Sequence, residues 1–255
     1  MAQSFRQPDI MDIARKEGRV VVEDLAERLA VTQQTIRRDL SELADAGKLE
    51  RVHGGAIYPS GVTNIGYEDR RALNAPAKAG IARACALAIP NGASLFLNIG
   101  TSTEAVARAL INHTNVMVVT NNMNVANILV RNHACEIIVT GGVLRRSDGG
   151  LVGNMTMRTI EQFKFDIAVI GCSGVDEDGD LLDFDVQEVG VSQTIIERAR
   201  KVFLVMDHSK IGRSAPARIA SLRAVDRCIT DRALPARLAR ICADFGTEVV
   251  IAEPI

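Results

Sequence analysis

A chain of 255 residues, 47% hydrophobic and 24% charged, with 20 Gly and 7 Pro, has the make-up of a folded globule, which excludes a disordered, low-complexity or collagenous chain. That length suits a small domain followed by a medium one better than a single unit. With 30 Lys+Arg against 31 Asp+Glu the chain is nearly neutral, so contact with nucleic acid has to come from a local arrangement of charge. No apolar run nears the roughly 18 residues of a membrane helix. The polar start from Met1 to Pro8 lacks the apolar centre of a secretory signal, so a cytoplasmic location with no membrane partner is expected. Five cysteines, at positions 85, 135, 172, 228 and 242, form no CxxC pair, which speaks against a disulfide framework and against a metal site and leaves reduced, buried thiols as the expectation.

The first helix is expected over Asp9–Lys16, stopped by Gly18, and a second, amphipathic helix over Glu23–Ala30. The third runs from Thr32, a natural N-cap, to Ala46, with Ile36, Leu40, Leu43 and Ala44 on one face and Gly47 closing it. Only Ala30-Val-Thr32 separates the second and third helices, which forces the large crossing angle of a helix-turn-helix. With Ile36 and Leu40 turned inward, Thr32, Gln33, Gln34, Thr35, Arg37, Arg38 and Ser41 are left near the outward N-terminal half of the third helix. Gln pairs bidentately with adenine and Arg with guanine, while Arg, Thr and Ser also hold phosphates without reading sequence. Lys48–Ile57 alternates Leu49 and Val52 with polar residues and turns at Gly54-Gly55, the pattern of a two-stranded wing that carries Arg51 and His53. The first 60 residues hold nine Lys+Arg against ten Asp+Glu, so a bland three-helix segment is the competing reading unless charge separates locally.

The run Val31-Thr-Gln-Gln-Thr-Ile-Arg-Arg-Asp-Leu-Ser-Glu-Leu43, followed by Arg51-Val-His-Gly-Gly-Ala56, resembles the N-terminal domain of the DeoR family of bacterial transcriptional repressors. The resemblance implies a winged helix-turn-helix domain over residues 1–58 that binds double-stranded operator DNA. One departure is Thr35 where a capping box would carry Glu or Gln.

Between Tyr58 and Pro76 periodicity lapses, and residues 59–76 read as a linker. Beyond it strands and helices alternate: strands at 94–99, 116–120, 136–140, 166–171, 201–207, 227–230 and 248–252, and helices at 103–112, 124–131, 188–200 and 235–245. About seven parallel strands give a three-layer α/β domain over residues 77–255. Anions favour the places where strand C-terminal ends meet helix N-termini. Four such ends carry small polar turns: Gly100-Thr-Ser-Thr103, Asn121-Asn122, Gly141-Gly142 and Ser173-Gly174, the last continuing to Asp176. Turn-making alone accounts for such residues individually, but four in succession point to a small phosphorylated ligand, with Lys210 and Arg145 as candidate counter-charges. The Arg145–Gly150 loop also reads as a flap or a crossing between subunits. His113 and His133, each beside Asn, read as solvated surface residues, and no Cys-His or Ser-His-Asp arrangement is legible.

The larger domain resembles the ribose-5-phosphate isomerase fold that DeoR-type sensor domains share. The isomerase motif Asp-Gly-Ala-Asp-Glu is matched by Ser173-Gly-Val-Asp-Glu177, in which Ser173 replaces the first carboxylate. The resemblance therefore implies phosphate binding without isomerisation, and no cofactor or metal. It also runs through Asn98–Ala107, Val119–Asn122, Ser147–Gly150, Leu182–Asp185 and Asp207–Arg213, and looks closest to the branch of the family that controls glycerol phosphate metabolism. That implies a homo-oligomeric repressor of glycerol genes, released from its operator by sn-glycerol 3-phosphate. A sugar-phosphate isomerase fused to a DNA-binding head and a DeoR-type regulator of another phosphorylated sugar or sugar alcohol are the alternatives.

Overall fold

The computed structural model describes residues 6–17, 19–58 and 66–253. The chain divides into two compact units, residues 1–73 and 74–255. In the first, α1 spans Arg6–Glu17, β1 Arg19–Val21, α2 Val22–Arg28, α3 Gln33–Asp45, β2 Glu50–Val52, β3 Gly55–Ile57 and α4 Tyr67–Ala72. Helix α1 starts three residues before its expected position because Pro8, barred from a helix interior, is well suited to a first turn where no amide partner is needed. The expected stop at Gly18 lies outside the described residues. Thr32 caps α3 as expected, its hydroxyl accepting from Thr35 N at 3.2 Å. Ile10, Leu25, Ile36, Leu40, Leu43 and Leu49 form the shared core, so the three helices close around the apolar faces their periodicity declares.

The wing is a β2–β3 hairpin whose two-residue loop is His53-Gly54, one position earlier than the expected turn. Its third strand, β1, pairs antiparallel with β3 and was not legible in the three residues Arg19-Val-Val21. Gly55 permits that pairing: a Cβ there would sit 1.9 Å from the Val20 carbonyl oxygen. The expected linker is corrected in two places, since α4 occupies Tyr67–Ala72 within the first unit and the next helix begins at Ala75; residues 59–65 of it lie outside the described residues.

The second unit continues with α5 Ala75–Leu87, β4 Ser94–Leu97, α6 Thr101–Ala109, β5 Val116–Thr120, α7 Met123–Leu129, β6 Cys135–Val139, β7 Val143–Arg145, β8 Gly150–Val152, α8 Asn154–Ile160, β9 Phe165–Ile170, β10 Gly174–Val175, β11 Asp180–Asp183, α9 Val186–Arg198, β12 Ala199–Val205, β13 Ala217–Ser221, β14 Arg227–Thr230, α10 Ala236–Phe245 and β15 Glu248–Ile251. Seven strands form one parallel sheet in the order β15-β14-β12-β9-β4-β5-β6. Strand alternation divides the core: Leu95, Leu97, Ile167 and Val169 face α5, α6 and α7, while Phe96, Ala168 and Ile170 face α8, α9 and α10. Strands buried on both faces read as continuous apolar runs, which is why the five inner strands were legible; the edge strands β6 and β15 are only partly buried and were read from their apolar content. A β7–β8 hairpin and a small β10-β11-β13 antiparallel sheet sit beside the main sheet and carry no comparable signal.

The strand order turns between β4 and β9. Chain connections leave these neighbours in opposite directions, and the crevice so formed at their C-terminal ends is where open α/β sheets bind ligands. Among the described residues no helix is long and apolar enough to cross a membrane.

Candidate functional site

In the first unit, Thr32, Gln33, Gln34, Arg37, Arg38 and Ser41 are exposed along α3 and Thr35 is half-buried. Several of these side chains are already engaged within the helix. Arg38 Nε donates to Glu42 Oε1 at 3.0 Å, and the Thr35 and Thr32 hydroxyls lie 2.9 Å apart. Arg37 Nη2 donates to the neutral Gln33 Oε1 at 3.3 Å, keeping its charge uncompensated. Arg51, from wing strand β2, is drawn below the ordinary guanidinium value by burial and then by the positive charge of Arg37. Its Nη1 is buried without a hydrogen-bond partner, and neither Arg37 nor Arg51 makes an ion pair among the described residues. Two like charges held close without a carboxylate form a local anion-seeking patch, even though the unit as a whole is not basic. Asp39, by contrast, is turned into the core and accepts from Arg6 Nε at 3.1 Å, so its charge is withdrawn from that face. His53 is exposed in the hairpin loop.

In the second unit the turn after β4 supplies a helix end. Gly100 has φ +142°, a conformation that side-chain-bearing residues rarely adopt, and it precedes α6 directly. The ladder of α6 opens with Glu104 N donating to Gly100 O at 3.0 Å, so the amides of Thr101, Ser102 and Thr103 point out of the helix end, where the dipole favours an anion. Thr103 braces the turn from inside, its hydroxyl reaching Asn98 O and Gly100 O at 2.7 Å each, while Gly100 and Thr101 stay half-exposed. Asn98, which sequence reasoning did not single out for a role of its own, ties this turn to α9 through Ser192 Oγ at 2.9 Å.

Beside it, at the end of β9, Ser173 donates to Asp183 Oδ2 at 2.9 Å, and Arg213 Nη1 donates to the Ser173 carbonyl at 3.1 Å. Gly174 is fixed by packing, since a Cβ would lie 2.0 Å from Arg213 O. One strand further on, β12 leads to Asp207 and then to the 3-10 turn His208–Lys210, which Asp207 caps. Asp231 holds the turn twice, at His208 N (2.7 Å) and His208 Nδ1 (2.6 Å). Lys210 is buried and acts on Cys172: burial pushes that thiol up to about 12, with the lysine charge opposing the push. Lys78 of α5 is a second buried cation in this neighbourhood, close enough to act on Asp207. No motif or periodicity marked it. Since neighbouring strands lie about 5 Å apart, the ends of β4, β9 and β12 span roughly 10 Å.

The remaining expected residues have structural duties. Asn121 Nδ2 donates to Leu151 O at 3.2 Å, and Asn122 caps α7 through Asn124 N at 2.9 Å, both fully buried behind the β4 turn. Gly141 and Gly142 follow the edge strand β6. A Cβ on Gly142 would meet Thr156 Oγ1 at 2.1 Å, so close approach to α8 accounts for the pair. Asp176 turns its carboxylate onto its own hairpin, accepting from Asp178 N at 3.0 Å and Asp180 N at 2.9 Å. Arg145 is no counter-charge for a ligand: three carboxylates already hold it, Asp148 (2.7 Å), Asp185 (2.5 Å) and Glu188 (2.6 Å). The loop it starts is thereby braced and is not a free flap. His113 is half-buried, its Nε2 lying 3.1 Å and 3.0 Å from the Ala86 and Ile89 carbonyls, contrary to the solvated reading. Three of the five free cysteines are buried, and no His/Cys/Asp/Glu group suited to a metal occurs among the described residues.

Comparison with known proteins agrees with this division. Residues 6–62 match the DeoR-like helix-turn-helix domain, and residues 73–232 match the DeoR C terminal sensor domain. The glycerol-3-phosphate regulon repressor of Escherichia coli strain K12 is 46% identical over 249 residues, 98% of this chain and 99% of that one. Its namesake from Haemophilus influenzae is 44% identical over 90% of each chain. Among solved structures, ribose 5-phosphate isomerase A of Methanocaldococcus jannaschii overlaps 52% of this chain and 53% of its own, at TM-score 0.39 and 15% identity. With both domain models matched in order and near-full-length identity to named regulators, the chain belongs to the DeoR family of helix-turn-helix transcriptional repressors.

Proposed function

We propose that this protein represses genes of glycerol and glycerol 3-phosphate metabolism, holding double-stranded operator DNA through α3 and the wing and releasing it when sn-glycerol 3-phosphate binds the sensor unit. The observation that carries the reading is one chain pairing an uncompensated Arg37–Arg51 patch on a helix-turn-helix with a small cationic crevice at the switch point of the sensor sheet. Near-full-length identity to glycerol-3-phosphate regulon repressors supports the choice of regulon and effector. On the DNA side, Arg37 and Arg51 hold phosphates or guanine edges, Gln33, Gln34 and Arg38 face the major groove, Thr32, Thr35 and Ser41 add short polar contacts, and His53 lies on the wing. On the effector side, the phosphate takes the amides of Thr101 to Thr103 and the Lys210 charge. Ser173 and Gly174 line the polyol end, with Asn121 and Asn122 supporting from the neighbouring strand end and Gly141 and Gly142 shaping the sheet edge beyond it. Asp176 serves the shape of the crevice and not the ligand.

The protein works as a switch and not as an enzyme in this reading. A proton shuttle needs a general base, and Ser173 offers a hydroxyl already committed to Asp183. Two heads of a homo-oligomer engage two half-sites, and effector binding disturbs the arrangement that matches their spacing.

The test is a fluorescence-anisotropy titration against the promoter region of the organism's own glycerol genes, at fixed salt, with and without sn-glycerol 3-phosphate. Tight binding relieved by the metabolite is the expected result. Binding that ignores it discards this effector, and a thermal-shift panel of other sugar and polyol phosphates then finds the right one. Turnover of ribose 5-phosphate by the purified chain would overturn the non-enzymatic reading.

A further inference from the structure

Asp207 is bound to more than the turn it caps. Its Oδ1 accepts from Ser209 N at 3.0 Å and Ser209 Oγ at 2.5 Å, which shapes the turn carrying Lys210, and also from Asn74 Nδ2 at 2.7 Å. Its Oδ2 is buried and accepts no hydrogen bond among the described residues. Burial alone would push this carboxyl up. The Lys210 charge, the Ser209 and Asn74 donors and the Lys78 charge together hold it below the usual carboxylate range. Asp207 is therefore a buried anion that depends on the cations beside it and on one amide from far along the chain.

That amide belongs to the first residue of the sensor unit. Asn74 follows Leu73, where the DNA-binding unit ends, and has left-handed backbone with φ +53°, which asparagine tolerates better than most residues. Its carbonyl starts α5 by accepting from Lys78 N at 3.0 Å. A backbone conformation that is otherwise costly is thus held by a side-chain bond to the very turn that presents Lys210.

We propose that Asn74 is a positioning residue, a latch on Asp207 that couples capture of an anion at Lys210 to the direction of the chain where it leaves the sensor unit for the DNA-binding unit. This rests on the reading above that the crevice takes a phosphorylated metabolite. A phosphate dianion at Lys210 competes with Asp207 for the same cation, and two anions sharing it in a largely buried setting repel. The Asp207 turn yields, Asn74 loses its acceptor, and the backbone at residues 73–75 is released from its left-handed setting. The metabolite then binds the unlatched form better than the latched one, which is the differential affinity any such switch requires.

Two full-length variants test the latch. Asn74→Gly keeps the left-handed backbone and removes the donor; Asn74→Asp keeps the size and sets a second acceptor against Asp207. Operator affinity is read by anisotropy without effector, and sn-glycerol 3-phosphate affinity by titration calorimetry. Both variants are expected to hold the operator more weakly, on the order of ten-fold, and to bind the metabolite more tightly by a similar factor, because it no longer has to break the latch. Loss of a merely structural residue would weaken both affinities. Any result in which the two do not move in opposite directions overturns the proposal. If the wild-type chain fails to bind sn-glycerol 3-phosphate, the effector reading falls by itself and the operator arm decides the latch. Weaker operator binding at an unchanged unfolding temperature then supports it, and unchanged binding overturns it.

Discussion

Arg51 shows how a single side chain departs from its formal charge count. It is half-buried against the like charge of Arg37, with one guanidinium nitrogen lacking a partner, an arrangement that costs stability in the free protein and that a bound phosphate would relieve. Arg51→Ala is expected to weaken operator binding on the order of ten-fold and to reduce the salt dependence by about one phosphate contact. Effector affinity should not change, and anisotropy at several salt concentrations checks both points. A different residue bears strain without serving DNA: Ala30, in the tight turn between α2 and α3, has φ +51°. Its amide and that of Val31 close the end of α2 onto Glu27 O (3.2 Å) and Ala26 O (3.0 Å), a termination for which glycine is the usual residue. Ala30→Gly should stabilise the first unit by about 1 kcal/mol, read as a rise in its unfolding temperature, because the left-handed setting no longer opposes a Cβ.

At the scale of elements, the wing and the Arg145 network each depend on a contact that spacing does not reveal. The three-stranded wing needs β1 to lie against β3 at Gly55, so Gly55→Ala forces the Val20 carbonyl away. A loss on the order of 2–3 kcal/mol from the first unit is expected, with operator binding impaired and the sensor transition unmoved in calorimetry. In the sensor unit, Arg145 joins the β7–β8 hairpin to the start of α9 through Asp148, Asp185 and Glu188. Burial and the neighbouring Asp183 push the Glu188 carboxyl up to about 7 from 4.5, with Arg145 opposing them, so the folded protein holds a proton there that the unfolded chain releases. A raised carboxyl stabilises the fold below its unfolded value and loses that contribution as pH rises. Stability of the sensor unit should therefore decline between about 4.5 and about 7 through this group, and Glu188→Gln should flatten the decline in unfolding scans across that range.

For the whole molecule the governing constraint is reciprocity. If sn-glycerol 3-phosphate lowers operator affinity by some factor, the operator must lower metabolite affinity by the same factor, since both are one coupling free energy. Calorimetric titration of the metabolite with and without saturating operator DNA measures it, and equal affinity in both titrations would remove coupling through a shared equilibrium. The near-neutral chain fits this division: no general basicity holds it on DNA, so its hold on DNA has to come from a local arrangement of charge.

Residue pattern alone determined the helix-turn-helix, the N-cap at Thr32 and the seven strands of the parallel sheet, because amphipathic periodicity and short apolar runs are local signals. The turn at Gly100 to Thr103 was equally legible as a strand-to-helix junction, since a glycine followed by hydroxyl residues after an apolar run marks a helix start. Only the tertiary structure decided which small polar turns share a crevice. Sheet order puts the ends of β4, β9 and β12 side by side and leaves Gly141 and Gly142 at the edge, and sheet order is set by packing between distant segments. The same holds for charge. Arg145 and Lys210 look alike in sequence, yet one is held by three carboxylates on the β7–β8 side and the other is buried beside Asp207 at the end of β12, where Lys78 and the Asn74 amide also meet Asp207 from far away in the chain. A side chain's chemistry is fixed by its type, but whether that chemistry is spent on the protein or offered to a ligand depends on which partners the fold brings to it.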